Sequence, residues 1–277
     1  MIYEDKLNNI FIKAKDIQIG KDTSFGRNVK ITVAGDFSIG DYSRIGDNTI
    51  IEGNNISIGK HFYGSGGMII GAGGQQYPSA NLTMGDRCVV HNNVINVCEP
   101  VEIGNDVGFS GKVEIITHGF WLSVLEGYPA GFGKVKVGNG VILGFGSTLL
   151  MNANIANNIV LGAHSLVLKE LTQPNSVYAG APARFIRKIE PIKNIDEKIR
   201  IIEEILYKYS LIATHQNIYP EFHFLYPWIN VNNFRCNVET FEFEGIEDNE
   251  TDNFRDFLRK WGIRIYTCRP FATHYIF

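Results

Sequence analysis

The stretch "EIITHGFW", residues 114–121, runs three β-formers into a histidine and leaves on a glycine and two aromatics. Imidazole titrates near neutrality, so His118 could move a proton at working pH. A lone histidine at a strand end is more often a turn residue, and its surroundings must decide. Other reactive types are sparse. Cys88, Cys98, Cys236 and Cys268 form no CxxC pair, show no zinc-like spacing and sit in no motif with a base, so structural thiols are expected rather than a disulfide framework, a metal site or a covalent nucleophile. No HxxxxH pair occurs, and the position five after His118 is Ser123, so no metal is expected.

The element that must hold His118 follows from an internal period. From residue 137 the chain divides into hexads, "VGNGVI", "LGFGST", "LLMNAN", "IANNIV", "LGAHSL" and "VLKELT". Val137, Leu143, Leu149, Ile155, Leu161 and Val167 open them without a slip, and the 29 glycines of the chain concentrate before residue 190. Upstream, "IGKDTS", "IGDYSR", "IGDNTI" and "IGNDVG" repeat the pattern with slips of one or two residues. A period of six fits neither a helix nor plain strand alternation; it describes a short strand that turns a corner every six residues. Three such sides close a coil, the opening aliphatic points inward, and Gly, Asn and Asp suit the corners. The spacing therefore predicts a parallel β-helix whose coils cap one another.

Two stretches break the repeat, "GGQQYPSANLT" (73–83) and "GFWLSVLEGYPAGFGKVK" (119–136), and both read as loops thrown out from the wall. After residue 189 the hexads stop. "NIDEKIRIIEEILYKYSLIA" has helical spacing and should start a helix near Asn194; "FRCNVETFEFEGI" alternates like a strand, "DNETDNFRDFLRKWG" reads as a capped helix and "IRIYTCRPF" as a further strand. The domain reading is an N-terminal segment 1–16, the β-helix over 17–189, and a small α+β appendage over 190–277.

With 277 residues the chain can bury one large core or two smaller ones. A net charge of -3, from 26 basic and 29 acidic residues, argues against the broad positive field of a nucleic-acid partner and leaves room for a local basic site. The N-terminus mixes charges where a signal peptide needs an apolar run, and no run approaches membrane-spanning length, so a cytoplasmic protein is expected.

In their order and spacing, "ITH" at 116–118, the clean hexads from 137, "GAHS" at 162–165 and "AGAPARFIRK" at 179–188 make the chain resemble the hexapeptide-repeat acyltransferases, above all those that O-acetylate sugars and polysaccharides. The resemblance covers 17–189. It implies a left-handed winding, a mainly β fold, acetyl-CoA as acyl donor, and direct transfer to a saccharide hydroxyl with His118 as general base. It further implies a homotrimer with active sites between subunits. Gly144, Gly162 and Ala163 match the surface along which the coenzyme's pantetheine arm lies, while Arg184, Arg187 and Lys188 match its phosphate-binding end, where guanidinium suits phosphate. His91 and Asn93, on the coil before His118, match the acceptor-contacting stretch. Trp121 and Tyr128, on the loop after His118, suit either stacking on a sugar face or packing against the next subunit.

This sequence departs from the pattern at two points. Ile142 stands where many relatives have tryptophan, and Leu168 where a polar residue often serves the pantetheine. The appendage lies outside the shared core; covering the acceptor cleft, assembly and binding of another protein are all open to it. N-acylation of a free or nucleotide-linked amino sugar is the alternative that the same base and donor would serve, and a non-catalytic scaffold is the remaining one.

Overall fold

A computed structural model describes residues 1–74 and 77–271, and the chain divides into two compact units, Met1–Glu190 and Pro191–Phe277. The first is a parallel β-solenoid of about eight turns with three walls: wall one from Ile2–Asp5 to Leu166–Val167, wall two from Asp16–Ile19 to Glu170–Leu171, and wall three from Ser24–Phe25 to Arg184–Lys188. Wall one carries, stacked in register, Ile12, Ile31, Ile51, Ile70, Ile95, Ile115, Leu149 and Val167. All eight are fully buried, each worth about 1.5–3 kcal/mol against exposure, and together they make the long axis of the core. The six hexad-opening aliphatics from Val137 to Val167 are all buried, and so is the residue four places after each: Val141, Ser147, Ala153, Ile159, Ser165 and Leu171. Each hexad thus points two side chains inward, and the chain turns its corner between them.

One corner shows why Gly–Asn pairs recur. The Asn139 side chain accepts from the Asn105 backbone N–H at 2.8 Å, and Asn157 does the same for Asn139 at 2.8 Å. A Cβ on Gly104 would lie 2.4 Å from that Asn139 amide oxygen, so a side chain there would displace the ladder.

Residues 1–16, set apart from the coils in the sequence reading, supply two strands of wall one. Ile10–Lys13 pairs parallel with Val29–Val33, and Ile2–Asp5 folds back antiparallel on it. At the other end Arg184–Lys188 runs antiparallel to Ser176–Ala179. The single alternating strand expected near 234–246 is two, Phe234–Asn237 and Phe243–Gly245, because the Asn237 side chain accepts from the backbone of Glu239 and Thr240 and turns the chain.

The second unit has its own core. Helix α1 (Ile195–His215) is capped by Asn194, as its sequence suggests, and buries Ile202, Ile205, Leu206 and Tyr209. A four-stranded antiparallel sheet and helix α2 (Asn249–Arg259), which has an Asp248–Thr251 capping box, supply Ile229, Val231, Phe234, Phe254 and Phe257. The strand expected over 263–271 is absent: those residues are irregular, and the Ile265 carbonyl accepts from the buried Arg255 guanidinium instead of from a neighbouring strand.

Candidate active site

Both long breaks in the repeat leave the solenoid at the same corner, between wall one and wall two. The first lies between strands Ile69–Gly71 and Leu82–Met84, the second between Glu114–Ile115 and Val135–Val137. One coil separates them, and its wall-one strand, Val94–Asn96, pairs with both neighbours.

The second excursion opens as a hairpin. His118 and Gly119 pair antiparallel with Phe132 and Gly131, and the half-buried His118 ring lies near-parallel to Phe132, with centroids 6.2 Å apart, and 5.3 Å from Phe120. Backbone from the first excursion closes on the other side of the ring. A Cβ on Gly74 would sit 2.8 Å from the His118 Cε1 and 3.0 Å from Nε2, and Gly74 has φ +69°, a left-handed conformation that favours glycine. His118 therefore stands in a cleft between the excursions, walled by two aromatic rings and a glycine backbone.

Behind the ring lies Asn96, nearly fully buried, 3.0 Å from His118 Nδ1 through Oδ1. The same Oδ1 accepts from the hydroxyl of buried Thr117 and from the Cys98 N–H at 3.3 Å, while Nδ2 donates to the carbonyls of Gly71 at 3.1 Å and Gly73 at 2.9 Å. Asn96, Thr117, Gly74, Phe120 and Phe132 are the members of this cleft that sequence reasoning missed. Asparagine occupies so many corners of this chain that one with a different task does not stand out.

The remaining candidates fall on other surfaces. Gly144, Gly162 and Ala163 lie at the corner between wall three and wall one, opposite the His118 corner across wall one. There they form a column of close backbone contacts. A Cβ on Gly144 would be 2.6 Å from the Ala163 nitrogen, and one on Gly162 would be 2.9 Å from the Ala179 Cβ. Ala179 pairs with Arg184, so the column ends beside that residue's strand; Arg187 and Lys188 lie further along it, opposite Val177 and Ser176. All three cations are exposed, and none forms an ion pair among the described residues.

His91 sits two coils earlier on the column's corner, its Nδ1 2.9 Å from the Ser65 hydroxyl, and not beside His118. Asn93 is fully buried, with its amide oxygen accepting from the His91 N–H at 2.7 Å and its nitrogen donating to the Ser110 carbonyl at 2.7 Å. Both ends of the Asn93 amide are thus bonded within the solenoid. Trp121 and Tyr128 ride on the hairpin, 91% and 47% exposed. Burial raises the Cys98 thiol and pushes that of Cys88 up to about 12, so neither offers a thiolate near neutrality. Among the described residues no cluster of His, Cys, Asp or Glu could hold a metal ion, and no helix is long and apolar enough to cross a membrane.

No family profile matches the chain, and no curated protein matches it. Solved structures similar to it include three acyltransferases. One is AntD, an N-acyltransferase from Bacillus cereus in complex with dTDP and 3-hydroxybutyryl-CoA, at 17% identity over 69% of this chain and 90% of that one, with a TM-score of 0.45. Another is the polysialic acid O-acetyltransferase OatWY, at 22% identity over 65% and 88%, with a TM-score of 0.47. The third is the hexapeptide-repeat-containing acetyltransferase VCA0836 from Vibrio cholerae, at 16% identity over 63% and 74%, with a TM-score of 0.36.

Proposed function

We propose that the chain is an acetyl-CoA-dependent O-acetyltransferase that acetylates a saccharide hydroxyl, with His118 as general base. The observation that carries this reading is the cleft itself: an imidazole backed by a buried amide, faced by aromatic rings and a bare glycine backbone, at the one corner where the solenoid throws out both excursions. A sugar hydroxyl is a poor nucleophile until a base takes its proton. His118 accepts that proton as the oxygen attacks the thioester carbon; the tetrahedral oxyanion collapses, and the coenzyme thiolate leaves with the proton returned from the imidazolium. No acyl-enzyme is needed, in keeping with the buried thiols.

The column of Gly144, Gly162 and Ala163 gives a pantetheine arm a surface free of side chains, and Arg184 at its end gives a phosphate a bidentate partner. The column and His118 occupy opposite edges of wall one, so we assign the complete site to two neighbouring copies in a homotrimer, one edge from each. Trp121 and Leu125, 91% and 95% exposed on the hairpin, are then the residues that the neighbour covers. Four free cysteines suit a cytoplasmic setting.

The test is a panel of hydroxylated and aminated sugars with acetyl-CoA, read by mass. His118→Ala should lower turnover by roughly 10²–10⁴ and leave acetyl-CoA affinity and thermal stability nearly intact. Acetylation of amines alone would replace O-transfer by N-transfer; near-normal turnover of His118→Ala would remove the histidine from the mechanism.

A further inference from the structure

Asn96 touches both excursions at once, and the direction of its amide is set by backbone groups alone. The carbonyls of Gly71 and Gly73 can only accept, so the atom facing them is the NH₂ nitrogen, at 3.1 and 2.9 Å. The Cys98 N–H, at 3.3 Å, can only donate, so the atom facing it is the oxygen. The Thr117 hydroxyl agrees: it accepts from the Glu99 N–H at 3.2 Å, which leaves its own proton for the Asn96 oxygen. Four independent partners thus give the same assignment, and the atom 3.0 Å from His118 Nδ1 is an acceptor without a proton.

We propose that Asn96 is the positioning residue that holds neutral His118 as its Nδ1–H tautomer, leaving the Nε2 lone pair toward Gly74 and the cleft. The proposal rests on the reading of His118 as general base, because a base must present a bare nitrogen to the acceptor. A histidine free in water favours the opposite, Nε2-protonated form, so without Asn96 the nitrogen facing the cleft would mostly carry a proton and could not take one. The Nδ2 bonds to Gly71 and Gly73 keep the amide from flipping. The first excursion therefore sets the chemical state of a residue on the second.

The inference can be tested without knowing the acceptor. Long-range proton–nitrogen spectra of the whole chain labelled with ¹⁵N-histidine, taken in alkaline buffer, separate a pyrrole-type from a pyridine-type ring nitrogen, and His118→Ala identifies the signal among the seven histidines. The wild type should show protonated Nδ1 and bare Nε2. Asn96→Asp, which still accepts from Nδ1–H, should keep that tautomer; Asn96→Ala should lose it and lower kcat roughly ten- to a hundredfold, with KM for acetyl-CoA unchanged. A wild-type His118 protonated at Nε2 overturns the proposal even if His118→Ala abolishes transfer to a sugar. Conversely, full transfer by His118→Ala removes the general-base reading whatever the tautomer. The wild-type spectrum decides the proposal even if Asn96→Ala fails to fold.

Discussion

At Gly74 the backbone runs so near the His118 ring that no side chain fits between them without a shift. Gly74→Ala would place a Cβ within 3.0 Å of Nε2 at a φ of +69°, so it combines a local conformational cost with a blocked cleft. Turnover should fall at least tenfold while acetyl-CoA binding, measured by calorimetry, stays within about twofold, since the column lies across wall one. Only part of this residue-level picture could be read from sequence. His118 is legible because a strand, a histidine and a long break occur in succession. Gly74 and Asn96 come from other coils, and their nearness to His118 depends on pairings such as Ile70 with Ile95 and Ile95 with Ile115, which no local spacing reports across two breaks in the repeat.

Among the elements, the strand Arg184–Lys188 is the one that carries charge to the end of the column. Replacing Arg184 and Arg187 together by alanine should weaken coenzyme A binding about ten- to a hundredfold, the scale of one lost charge-assisted contact at ~1.5–3 kcal/mol. Dephospho-coenzyme A should lose less if the 3′-phosphate is the group held there. Helix α2 supports a different expectation. Asp256 is buried, and that burial pushes its carboxyl up to about 6, against an ordinary 3.8, despite Arg259 at 3.2 Å. The folded state therefore binds this proton more tightly than the unfolded chain, and this group's contribution to stability is fully present below pH ~4 and lost as pH rises through about 6. Asp256→Asn should melt higher than wild type at pH 7.5, by an effect of at most roughly 3 kcal/mol, with the gap closing near pH 4. Equal melting temperatures at both pH values would show that the carboxylate is well solvated or fully paired.

The elements also show where reading by pattern stops. The hexads from 137 were legible because each buries its first and fifth residues with no exception. In "IRIYTCRPF" the alternation is equally visible, yet Ile265 and Thr267 are buried without a strand: the Ile265 carbonyl accepts from Arg255, the Thr267 hydroxyl accepts from the Arg269 N–H, and both arginines pair with Asp252. Alternating burial needs only two packed sides, whereas a strand also needs a free sheet edge beside it, which composition does not reveal.

For the whole molecule, the placement of His118 and the Gly144–Gly162 column on opposite edges of one wall makes assembly a kinetic question. Co-expressed His118→Ala and Arg184→Ala/Arg187→Ala chains, assayed at low acetyl-CoA, should form mixed assemblies more active than the average of the two parents, because some sites then combine both intact edges. Activity no higher than that average would confine each site to a single chain. Leu125→Asp should lower the mass of the proposed assembly in light scattering while leaving the fold intact by circular dichroism, since Leu125 is 95% exposed in its own unit.

A stack of identical parallel coils has no natural length; each new coil offers the next the same row of hydrogen-bonding groups, as a growing filament does. Here one wall is reversed at each end of the stack. Ile2–Asp5 at one end and Arg184–Lys188 at the other run against the winding and present an antiparallel edge, whose bond spacing does not match an incoming coil. Five of those nine residues are charged, which discourages a second molecule from docking end to end. A chain lacking residues 1–8 would expose the edge of Ile10–Lys13 while its other end stays turned back, so its units should pair through that one edge and double the mass seen in light scattering. The turned-back strands thus blunt one wall at each end of a stack that could otherwise be extended coil by coil.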